Sequence, residues 1–375
     1  MRVRNVYQFI KNCMQNLLIC WLFNMLAKIT NQEGRCRDMK NIGMLGAGSW
    51  GMALCWVLQK NGHKVTVWSA LDAEIAMLKE KREQVDKLPG VVLAEDTVFT
   101  TDMEEALKDK DMIVMAVPST FVRSTARQMA PFVKPGTMIV NVAKGIEEKT
   151  MMTLTDIIEE EAPGVNACVL SGPSHAEEVG KGIPTTVVAG AKNVKDAEYI
   201  QSVFMNEFFR VYTSDDLIGI ELGGALKNVI ALAAGMVDGL GYGDNTKAAL
   251  MTRGIAEMTR LGVAMGGKKE TLSGLSGVGD LIVTCTSKHS RNHNAGELMG
   301  KGYTMEEAMQ EVKQVVEGVY SAKAALKLAQ KYHVSMPLTE TVNQVLFEGM
   351  TAKEATSQLL SRDRIAEYPE LEWEA

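Results

Sequence analysis

The sequence has no excess of basic residues. Its 375 residues include 40 Lys and Arg against 46 Asp and Glu, which gives a formal net charge of -6. A protein that binds nucleic acid without sequence preference neutralises phosphates with an excess of positive charge. The balance therefore excludes a general nucleic-acid binder, whereas local basic pockets for a phosphorylated metabolite remain compatible with it.

Metal-binding and hydrolase signatures are missing as well. The six cysteines lie at positions 13, 20, 36, 55, 168 and 285 with no C-x-x-C spacing, and neither G-x-S-x-G nor H-E-x-x-H occurs. The five histidines lack the Ser/Asp pattern of a catalytic triad. We therefore expect no metal site, and we expect reduced thiols in a reducing, cytoplasmic compartment.

The N-terminal apolar run is too short to span a bilayer comfortably. Residues 17–27 follow Arg2, Arg4 and Lys11 and have the length of a signal-peptide hydrophobic region, but no small-x-small cleavage pattern follows them. Met39 lies directly before the first predicted strand. We interpret residues 1–38 as an upstream extension or a mis-assigned start and expect no stable membrane span. The alternative is a signal or membrane anchor.

The sequence does contain a glycine-rich turn between a strand and a helix. A short apolar run ends in G-A-G-S-W-G, residues 46–51, and leads into a helix-like segment. Gly46 permits a tight turn, Gly48 lets backbone approach a pyrophosphate, and Gly51 lets the helix pack on the strand. A second strand is predicted at Val65–Trp68. This βαβ context favours a dinucleotide site over the alternative, a glycine-rich turn without a ligand.

Strands and helices are predicted to alternate from Asn41 to about Val211, which is typical of a parallel α/β sheet. From Leu217 onward, helical periodicity dominates. The predicted fold is therefore α/β, with an N-terminal Rossmann-type parallel sheet domain at residues 39–213. An all-helical C-terminal domain follows at residues 214–365, and an acidic tail at 366–375.

Ligands of an open parallel sheet bind beyond the carboxyl ends of its strands. Three junctions of this kind are expected to be functional: Val-Pro-Ser at 117–119, Ala-Lys-Gly at 143–145 and Ser-Gly-Pro-Ser at 171–174. Lys144 stands between a buried strand and Gly145, so its ammonium would project into the cleft. An ordinary surface lysine is the alternative.

The strongest single clue is Lys227, the only charged residue from Leu222 to Val237. A helix that is apolar all round is a buried helix. On a 3.6-residue period the other residues on the face of Lys227 are small: Gly223, Gly224, Ala231 and Ala234. Burial lowers the pKa of a lysine toward a range useful for acid/base catalysis. The alternative is a lysine that snorkels from a helix edge.

Two polar clusters follow. Asp280 lies between glycines and an apolar run, where it either pairs with Lys227 or caps a helix. Residues 284–287 (Thr-Cys-Thr-Ser) and 290–292 (Ser-Arg-Asn) bring hydroxyls, an amide and a guanidinium together. This combination suits a phosphate or a carboxylate because arginine offers a bidentate fork. A polar loop between two helices is the alternative.

Together these motifs resemble the bacterial NAD(P)-dependent glycerol-3-phosphate dehydrogenases. The resemblance runs from about Met39 to the helical C-terminus and leaves residues 1–38 uncovered. The matching segments are GAGSWG at 46–51, AVPS at 116–119, AKG at 143–145, SGPS at 171–174, GGALKN at 223–228, GVGDL at 277–281, TCT at 284–286, SRN at 290–292 and VVEG at 315–318. It implies reduction of dihydroxyacetone phosphate to sn-glycerol 3-phosphate for glycerophospholipid synthesis.

The resemblance also implies roles for single residues. Lys227 would be the catalytic acid/base that protonates the ketone oxygen as hydride arrives at C2, and Asp280 would orient it in the substrate site. The other implied substrate-binding residues are Lys144, Gly172, Ser174, Ser290, Arg291 and Asn292. The implied NAD or NADP positions are Gly46, Gly48, Ser49, Trp50, Gly51, Lys144, Ala176, Arg291, Val315 and Glu317. No metal is needed, since the hydride chemistry belongs to the nicotinamide.

Two departures from the family pattern stand out. After the second strand the family commonly carries Arg or His for the 2′-phosphate of NADP, whereas this chain has Ala70. We therefore expect weak or lost discrimination against NADH. His175 replaces the usual Phe and is expected to repack the pocket wall without changing the chemistry.

Two other functions remain as alternatives. A 3-hydroxyacid or ketopantoate-type dehydrogenase shares the layout, and its substrate carboxylate would suit Arg291 equally well. A non-catalytic dinucleotide sensor would keep the fold but would not need Lys227 with Asp280. The sequence leaves the oligomeric state open, with a homodimer as one option.

Overall fold

The computed structural model describes residues 38–364 and 366–367. Contacts divide the chain into Met1–Met39 and Lys40–Ala375, and the second unit is described here. The predictions made for residues 1–37 and for 368–375 of the acidic tail lie outside the described residues.

Eight strands form one sheet in the order β3-β2-β1-β4-β5-β6-β7-β8. They are β1 (Asn41–Leu45), β2 (Lys64–Trp68), β3 (Val98–Thr100), β4 (Met112–Met115), β5 (Met138–Asn141), β6 (Asn166–Ser171), β7 (Thr185–Gly190) and β8 (Phe209–Ser214). All neighbours pair in parallel except β6 and β7. The prediction of a parallel sheet is therefore confirmed except at this one pairing.

The antiparallel pairing has a simple physical reason. Between β6 and β7 the chain forms only one short helix, Ala176–Val179. A parallel connection needs a longer crossover that carries the chain back along the sheet, usually on a full helix. The short connection instead returns the chain beside β6 in the opposite direction.

The order of the strands reverses between β1 and β4, since β2 and β3 lie on one side of β1 and β4 to β8 on the other. In doubly wound sheets the ligand crevice opens at such a switch point, beyond the carboxyl ends of the strands. The glycine-rich turn follows β1 and the Val-Pro-Ser junction follows β4, so both lie at this crevice.

Helices cover the two faces of the sheet: α1 (Ser49–Lys60), α2 (Asp72–Lys81), α3 (Met103–Leu107), α4 (Val122–Met129), α5 (Leu154–Glu161), α6 (Ala176–Val179) and α7 (Val194–Phe204). Successive strand residues point to opposite faces. Met112 and Val114 of β4 enter one apolar core, and Ile113 and Met115 enter the other. Burial on both faces explains why these strands read as continuous apolar runs.

After β8 the described chain is helical, with one π-helical turn at Leu275–Gly279. The helices are α8 (Leu217–Gly239), α9 (Asp244–Ala264), α10 (Lys269–Leu272), α11 (Asp280–Thr286), α12 (Arg291–Gly300), α13 (Met305–Val312), α14 (Glu317–Lys331), α15 (Pro337–Phe347) and α16 (Ala352–Leu360). This agrees with the predicted change from a sheet to an all-helical region.

The central element of the helical region is α8. It is long and apolar enough to cross a membrane, with a mean hydropathy of 1.6, but 89% of that window is buried inside the protein. Such burial identifies α8 as a core helix. The buried helix predicted around Lys227 is confirmed.

Helices α8 and α12 approach each other at the level of their backbones. A Cβ added at Gly235 of α8 would lie 2.0 Å from the carbonyl oxygen of His293, and one at Gly296 of α12 would lie 2.0 Å from that of Leu232. Gly239 and Gly300 meet in the same way one turn further on. The two helices are thus held as one block.

Candidate active site

The glycine-rich turn is held tightly against the segment that directly follows β4. Gly46 has a φ of +116°, and a Cβ there would lie 2.7 Å from the carbonyl oxygen of Ala116. A Cβ at Gly51 would lie 2.4 Å from the carbonyl oxygen of Gly46, whereas one at Gly48 would meet no atom within 4 Å. Two of the glycines are therefore required by close packing, and Gly48 leaves open space beside the turn.

The N-terminus of α1 fits the pyrophosphate of a dinucleotide. Its N-cap is Gly48, and in this described helix the cap makes no side-chain hydrogen bond and the first turn carries no acidic residue. The free N–H groups and the positive end of the helix dipole suit a phosphate. Beside them, the buried Nε1 of Trp50 has no hydrogen-bond partner among the described residues. These features support the predicted cofactor positions, including Ser49, the first residue of α1.

A polar network at the end of β2 was not predicted. The hydroxyl of Ser69 donates to Glu74 at 2.6 Å, and Glu74 also accepts from Gln84 at 2.8 Å and pairs with Lys87 at 2.6 Å. Gln84 donates to the carbonyl oxygen of Ala47 in the glycine turn. Because these residues come from separate segments, the sequence held no local signal for the network. Ala70, at the predicted 2′-phosphate position, is exposed.

Two lysines share one buried carboxylate at the centre of the candidate site. Nζ of Lys227 lies 2.6 Å from Oδ1 of Asp280, and Nζ of Lys144 lies 2.6 Å from Oδ2. Lys227 is 6% exposed and Asp280 is 1% exposed. The predicted pairing of Lys227 with Asp280 is present, and Asp280 begins α11 with Gly279 as its N-cap. The three groups carry a net positive charge, which suits an anionic substrate.

Burial and charge set the protonation of this cluster. Burial lowers the pKa of Lys227 to about 8, with Lys144 acting in the same direction and Asp280 opposing both. Burial alone would raise the pKa of Asp280, but Lys144 and Lys227 together hold it below its usual range. Lys227 can therefore exchange a proton near neutral pH while Asp280 remains charged.

Further groups fix the two ammoniums. Lys227 donates a second hydrogen bond, at 2.7 Å, to the hydroxyl of Thr284. Thr284 lies one turn after Asp280 on α11, a spacing that would have indicated a shared helix face. Lys144 donates to the carbonyl oxygen of Gly172 at 3.0 Å, and the hydroxyl of Ser174 donates to the same oxygen at 2.9 Å. The predicted residues of the 143–145 and 171–174 junctions thus meet.

The segment at 290–292 lies at the start of α12. Ser290 caps this helix, accepting from the N–H of His293 at 3.2 Å, and the described first turn carries no acidic residue. The amide of Asn292 donates to Asn228 at 2.9 Å and accepts from the N–H of Gly318 at 2.8 Å, so both ends of this side chain are occupied. Arg291 is exposed and donates a long hydrogen bond, of 3.4 Å, to the side-chain oxygen of Gln314.

Glu317 connects the helical region to the end of β4. It accepts hydrogen bonds from both the backbone N–H, at 3.0 Å, and the hydroxyl of Ser119. Burial raises the pKa of Glu317 although both bonds oppose the rise. Of the other predicted cofactor positions, Ala176 is the first residue of α6 and is buried, and Val315 is half-buried.

His175 lies at the rim of the cluster. Its ring is 5.9 Å from that of His289, and Nε2 lies 3.4 Å from the carbonyl oxygen of Val283. Burial lowers the pKa of the His175 imidazole, and the positive charge of Lys227 lowers it further. Among the described residues no group of three or more His, Cys, Asp or Glu side chains could hold a metal ion.

Models of one protein family match most of the chain. The model described as NAD-dependent glycerol-3-phosphate dehydrogenase N-terminus matches residues 41–197 of this chain. The model of the C-terminus of the same family matches residues 216–357. The glycerol-3-phosphate dehydrogenase (NAD(P)+) of Agathobacter rectalis is 64% identical over 335 residues, 89% of this chain and 100% of the relative. The chain belongs to the NAD-dependent glycerol-3-phosphate dehydrogenase family.

Other members of the glycerol-3-phosphate dehydrogenase family agree. The Bacillus subtilis enzyme is 52% identical over 336 residues, 89% of this chain and 97% of its own. The crystal structure of glycerol-3-phosphate dehydrogenase from Coxiella burnetii superposes with a TM-score of 0.84 at 38% identity, covering 86% of this chain and 99% of that one. The predicted family, fold class and NAD(P)-dependent oxidoreductase class are confirmed.

Proposed function

We propose that the protein reduces dihydroxyacetone phosphate to sn-glycerol 3-phosphate with NADH or NADPH, and catalyses the reverse reaction. The observation that carries the proposal is the pairing of Lys227 with Asp280 beside Lys144, at the carboxyl ends of β5 and β6. Reduction of a ketone requires a proton donor, and Lys227 has a pKa of about 8. The phosphate of the substrate is negatively charged, and the cluster around Asp280 carries a net positive charge. The glycerol-3-phosphate dehydrogenases cited above support the choice of substrate.

Lys227 is the proton donor in this proposal. When bound, the nicotinamide supplies hydride to C2 of the ketone. Nζ of Lys227 gives its proton to the carbonyl oxygen as negative charge develops there, and takes a proton from the hydroxyl in the reverse direction. Asp280 and Thr284 aim Nζ and keep it from rotating, so the geometry is set before substrate binds.

Lys144 and Asp280 complete the substrate pocket. Lys144 is held by the Gly172 carbonyl and by Asp280, so its charge is fixed at the cleft instead of moving in solvent. Gly172 and Ser174 line the same wall. The second positive charge lowers the energy of the developing oxyanion and attracts a phosphorylated substrate.

The start of α12 supplies the phosphate site. Arg291 is the exposed guanidinium there, and the helix N-terminus adds N–H groups and a positive dipole end. Ser290 and Asn292 shape this site through their hydrogen bonds to His293, Asn228 and Gly318.

Residues on the sheet side of the same cleft would hold the cofactor. The pyrophosphate would bind at the glycine-rich turn and the start of α1, at Gly46, Gly48, Ser49, Trp50 and Gly51. The remaining assigned contacts are Lys144, Ala176, Arg291, Val315 and Glu317. Residues 39–213 would then be the NAD(P)-binding domain and residues 214–365 the substrate domain that carries the catalytic lysine.

The reaction supplies the backbone of glycerophospholipids, and we place it in the cytoplasm. The buried thiols of Cys55, Cys168 and Cys285 are unpaired, which agrees with a reducing compartment. A homodimer stays a prediction, which light scattering coupled to gel filtration tests.

A spectrophotometric assay tests the proposed function. Wild-type protein is expected to oxidise NADH or NADPH in the presence of dihydroxyacetone phosphate. Lys227→Met is expected to lower kcat by about 10²- to 10⁴-fold, since general acid catalysis contributes that much. Retained NADH binding by the variant separates a loss of chemistry from a loss of fold.

The same assay tests the alternatives. Turnover of ketopantoate or another 2-oxo or 3-oxo acid, with none of dihydroxyacetone phosphate, would replace the proposed substrate. Cofactor binding without turnover of any of these would favour a sensor. An undiminished kcat in Lys227→Met would remove Lys227 from its role as proton donor.

A further inference from the structure

A buried carboxylate outside the site joins the helix of Lys227 to the sheet domain. Glu221 lies on α8 and is 5% exposed. It accepts a hydrogen bond of 2.9 Å from the backbone N–H of Thr155 and a second one from the Thr155 hydroxyl. Thr155 is in the first turn of α5, so the carboxylate lies at the positive end of that helix and satisfies one of its free N–H groups.

Helix α5 is fixed to the strands that form the cofactor crevice. Its apolar residues Leu154, Ile157 and Ile158 share one core with Leu45 of β1 and Met115 of β4. Leu45 directly precedes the glycine turn, and Met115 directly precedes the backbone that packs against it. The position of Thr155 is therefore tied to the position of the cofactor turn.

Helix α8 carries the other half of the site. Glu221 and Lys227 are six residues apart on one helix, about 9 Å along its axis. The close glycine contacts of α8 with α12 make Arg291 part of the same block. Lys227 and the phosphate site thus move together, and Glu221 connects this block to the sheet.

A buried carboxylate is a poor choice for stability alone. Burial raises the pKa of Glu221 to about 7, with the bonds from Thr155 opposing the rise, so the charged form carries a desolvation cost. Apolar side chains of similar size commonly replace buried charges without loss of stability. An apolar residue at position 221 would not supply a directional contact between α8, on the helical side of the cleft, and α5, on the sheet side.

We propose that Glu221 is a positioning residue, which sets the distance from Lys227 to the cofactor by capping α5 from α8. The inference rests on the proposed function. When the cap is lost, α8 and α12 shift as one block relative to the sheet, so the phosphate contacts at α12 are retained while the proton donor and the hydride carrier lose alignment.

The test compares steady-state kinetics of full-length variants. Glu221→Ala is expected to lower kcat by about tenfold or more, because misplacements of about 1 Å have costs of up to 10²-fold. The KM for dihydroxyacetone phosphate should change less than about threefold, since the phosphate site moves with Lys227. The NADH dissociation constant, read from ligand fluorescence, should stay at the wild-type value. Glu221→Gln should restore most of kcat, because its amide oxygen accepts from the Thr155 N–H and its amino group can donate to the hydroxyl.

Glu257 offers a matched control. It is 1% exposed, burial raises its pKa to about 7, and it accepts from the N–H groups of Leu338 at 2.6 Å and Thr339 at 3.1 Å. It thereby caps α15 from α9, with both helices inside the helical region. Glu257→Ala should lose thermal stability comparably to Glu221→Ala but keep kcat within about twofold, since it does not join the two halves of the cleft.

Two results would overturn the proposal. One is a wild-type kcat in Glu221→Ala, and the other is an equal loss of kcat in Glu257→Ala, which would tie the loss to destabilisation. Should Glu221→Ala fail to fold, Thr155→Val removes the hydroxyl and keeps the N–H. It is expected to lower kcat in the same direction by less, and an unchanged kcat there would also contradict the proposal. A wild-type protein that does not reduce dihydroxyacetone phosphate would instead contradict the proposed function.

Discussion

Nζ of Lys227 lies 2.6 Å from Oδ1 of Asp280, and neither side chain is more than 7% exposed. The cluster with Lys144 is not neutral overall, because Lys144 pairs with the other carboxylate oxygen. The single negative charge of Asp280 therefore balances only one of the two ammoniums, and the remaining positive charge attracts an anionic substrate. Asp280 keeps the pKa of Lys227 from falling as far as burial and the charge of Lys144 would take it.

Removing the charge of Asp280 should therefore weaken the proton donor. Asp280→Asn leaves the ammoniums of Lys144 and Lys227 without a counter-charge, so the pKa of Lys227 falls below 8. We expect kcat for ketone reduction at pH 7.5 to drop by about 10- to 100-fold, within the usual contribution of general acid catalysis. The alkaline limb of the pH–kcat profile should also move to lower pH. A limb at the wild-type position would show that Asp280 does not control Lys227.

The two directions of the reaction should depend on pH in opposite ways. Ketone reduction needs Lys227 protonated, so kcat should decrease as pH rises through about 8. Oxidation of the alcohol needs the neutral amine, so kcat should increase over the same interval. The measurement is kcat at saturating substrate from pH 6 to 10 in both directions. Parallel profiles would argue that another group exchanges the proton.

Gly48→Ala should separate cofactor binding from folding. Gly48 has a φ of -72°, which alanine adopts freely, and its Cβ would meet no atom within 4 Å. The free energy of unfolding should change by less than about 1 kcal/mol. The new methyl group would project where the pyrophosphate approaches the backbone, so the NADH dissociation constant should rise at least about tenfold, a cost of about 1.4 kcal/mol.

Gly46→Ala is the comparison for that variant. Its φ of +116° and the 2.7 Å approach to Ala116 make alanine strained there, with an expected loss of about 1–3 kcal/mol of stability. Unchanged NADH affinity in Gly48→Ala would mean that the cofactor does not pass over this turn.

Cofactor preference should be weak in the wild type and adjustable at Ala70. Lys87 near the end of β2 is paired with Glu74, so its charge is already engaged and is not free for a 2′-phosphate. Ala70→Arg should raise kcat/KM for NADPH relative to NADH by about 10- to 100-fold, since a hydrogen bond to a charged group contributes about 1.5–3 kcal/mol. Ala70→Leu controls for size without charge. A wild type that already prefers NADPH by a large factor would contradict the expectation.

The local patterns of the chain were sufficient for the elements that hold the site. The spacing of Gly46, Gly48 and Gly51 after an apolar run specified the turn, because only glycine tolerates the backbone angle at Gly46 and the close contacts at Gly46 and Gly51. The uniformly apolar surroundings of Lys227 specified a buried helix and a perturbed lysine, because both follow from neighbours within a few turns.

Tertiary structure alone decided which distant groups meet. Lys144 and Asp280 are 136 positions apart, and no periodicity records that they share a contact. The same holds for Glu221 with Thr155. Such contacts depend on how the helical region docks on the sheet, a long-range packing that local spacing does not encode. The sequence by itself determined the turn, the buried helix and the chemical groups. The fold decided that two lysines share one carboxylate and that Glu221 of α8 meets Thr155 of α5.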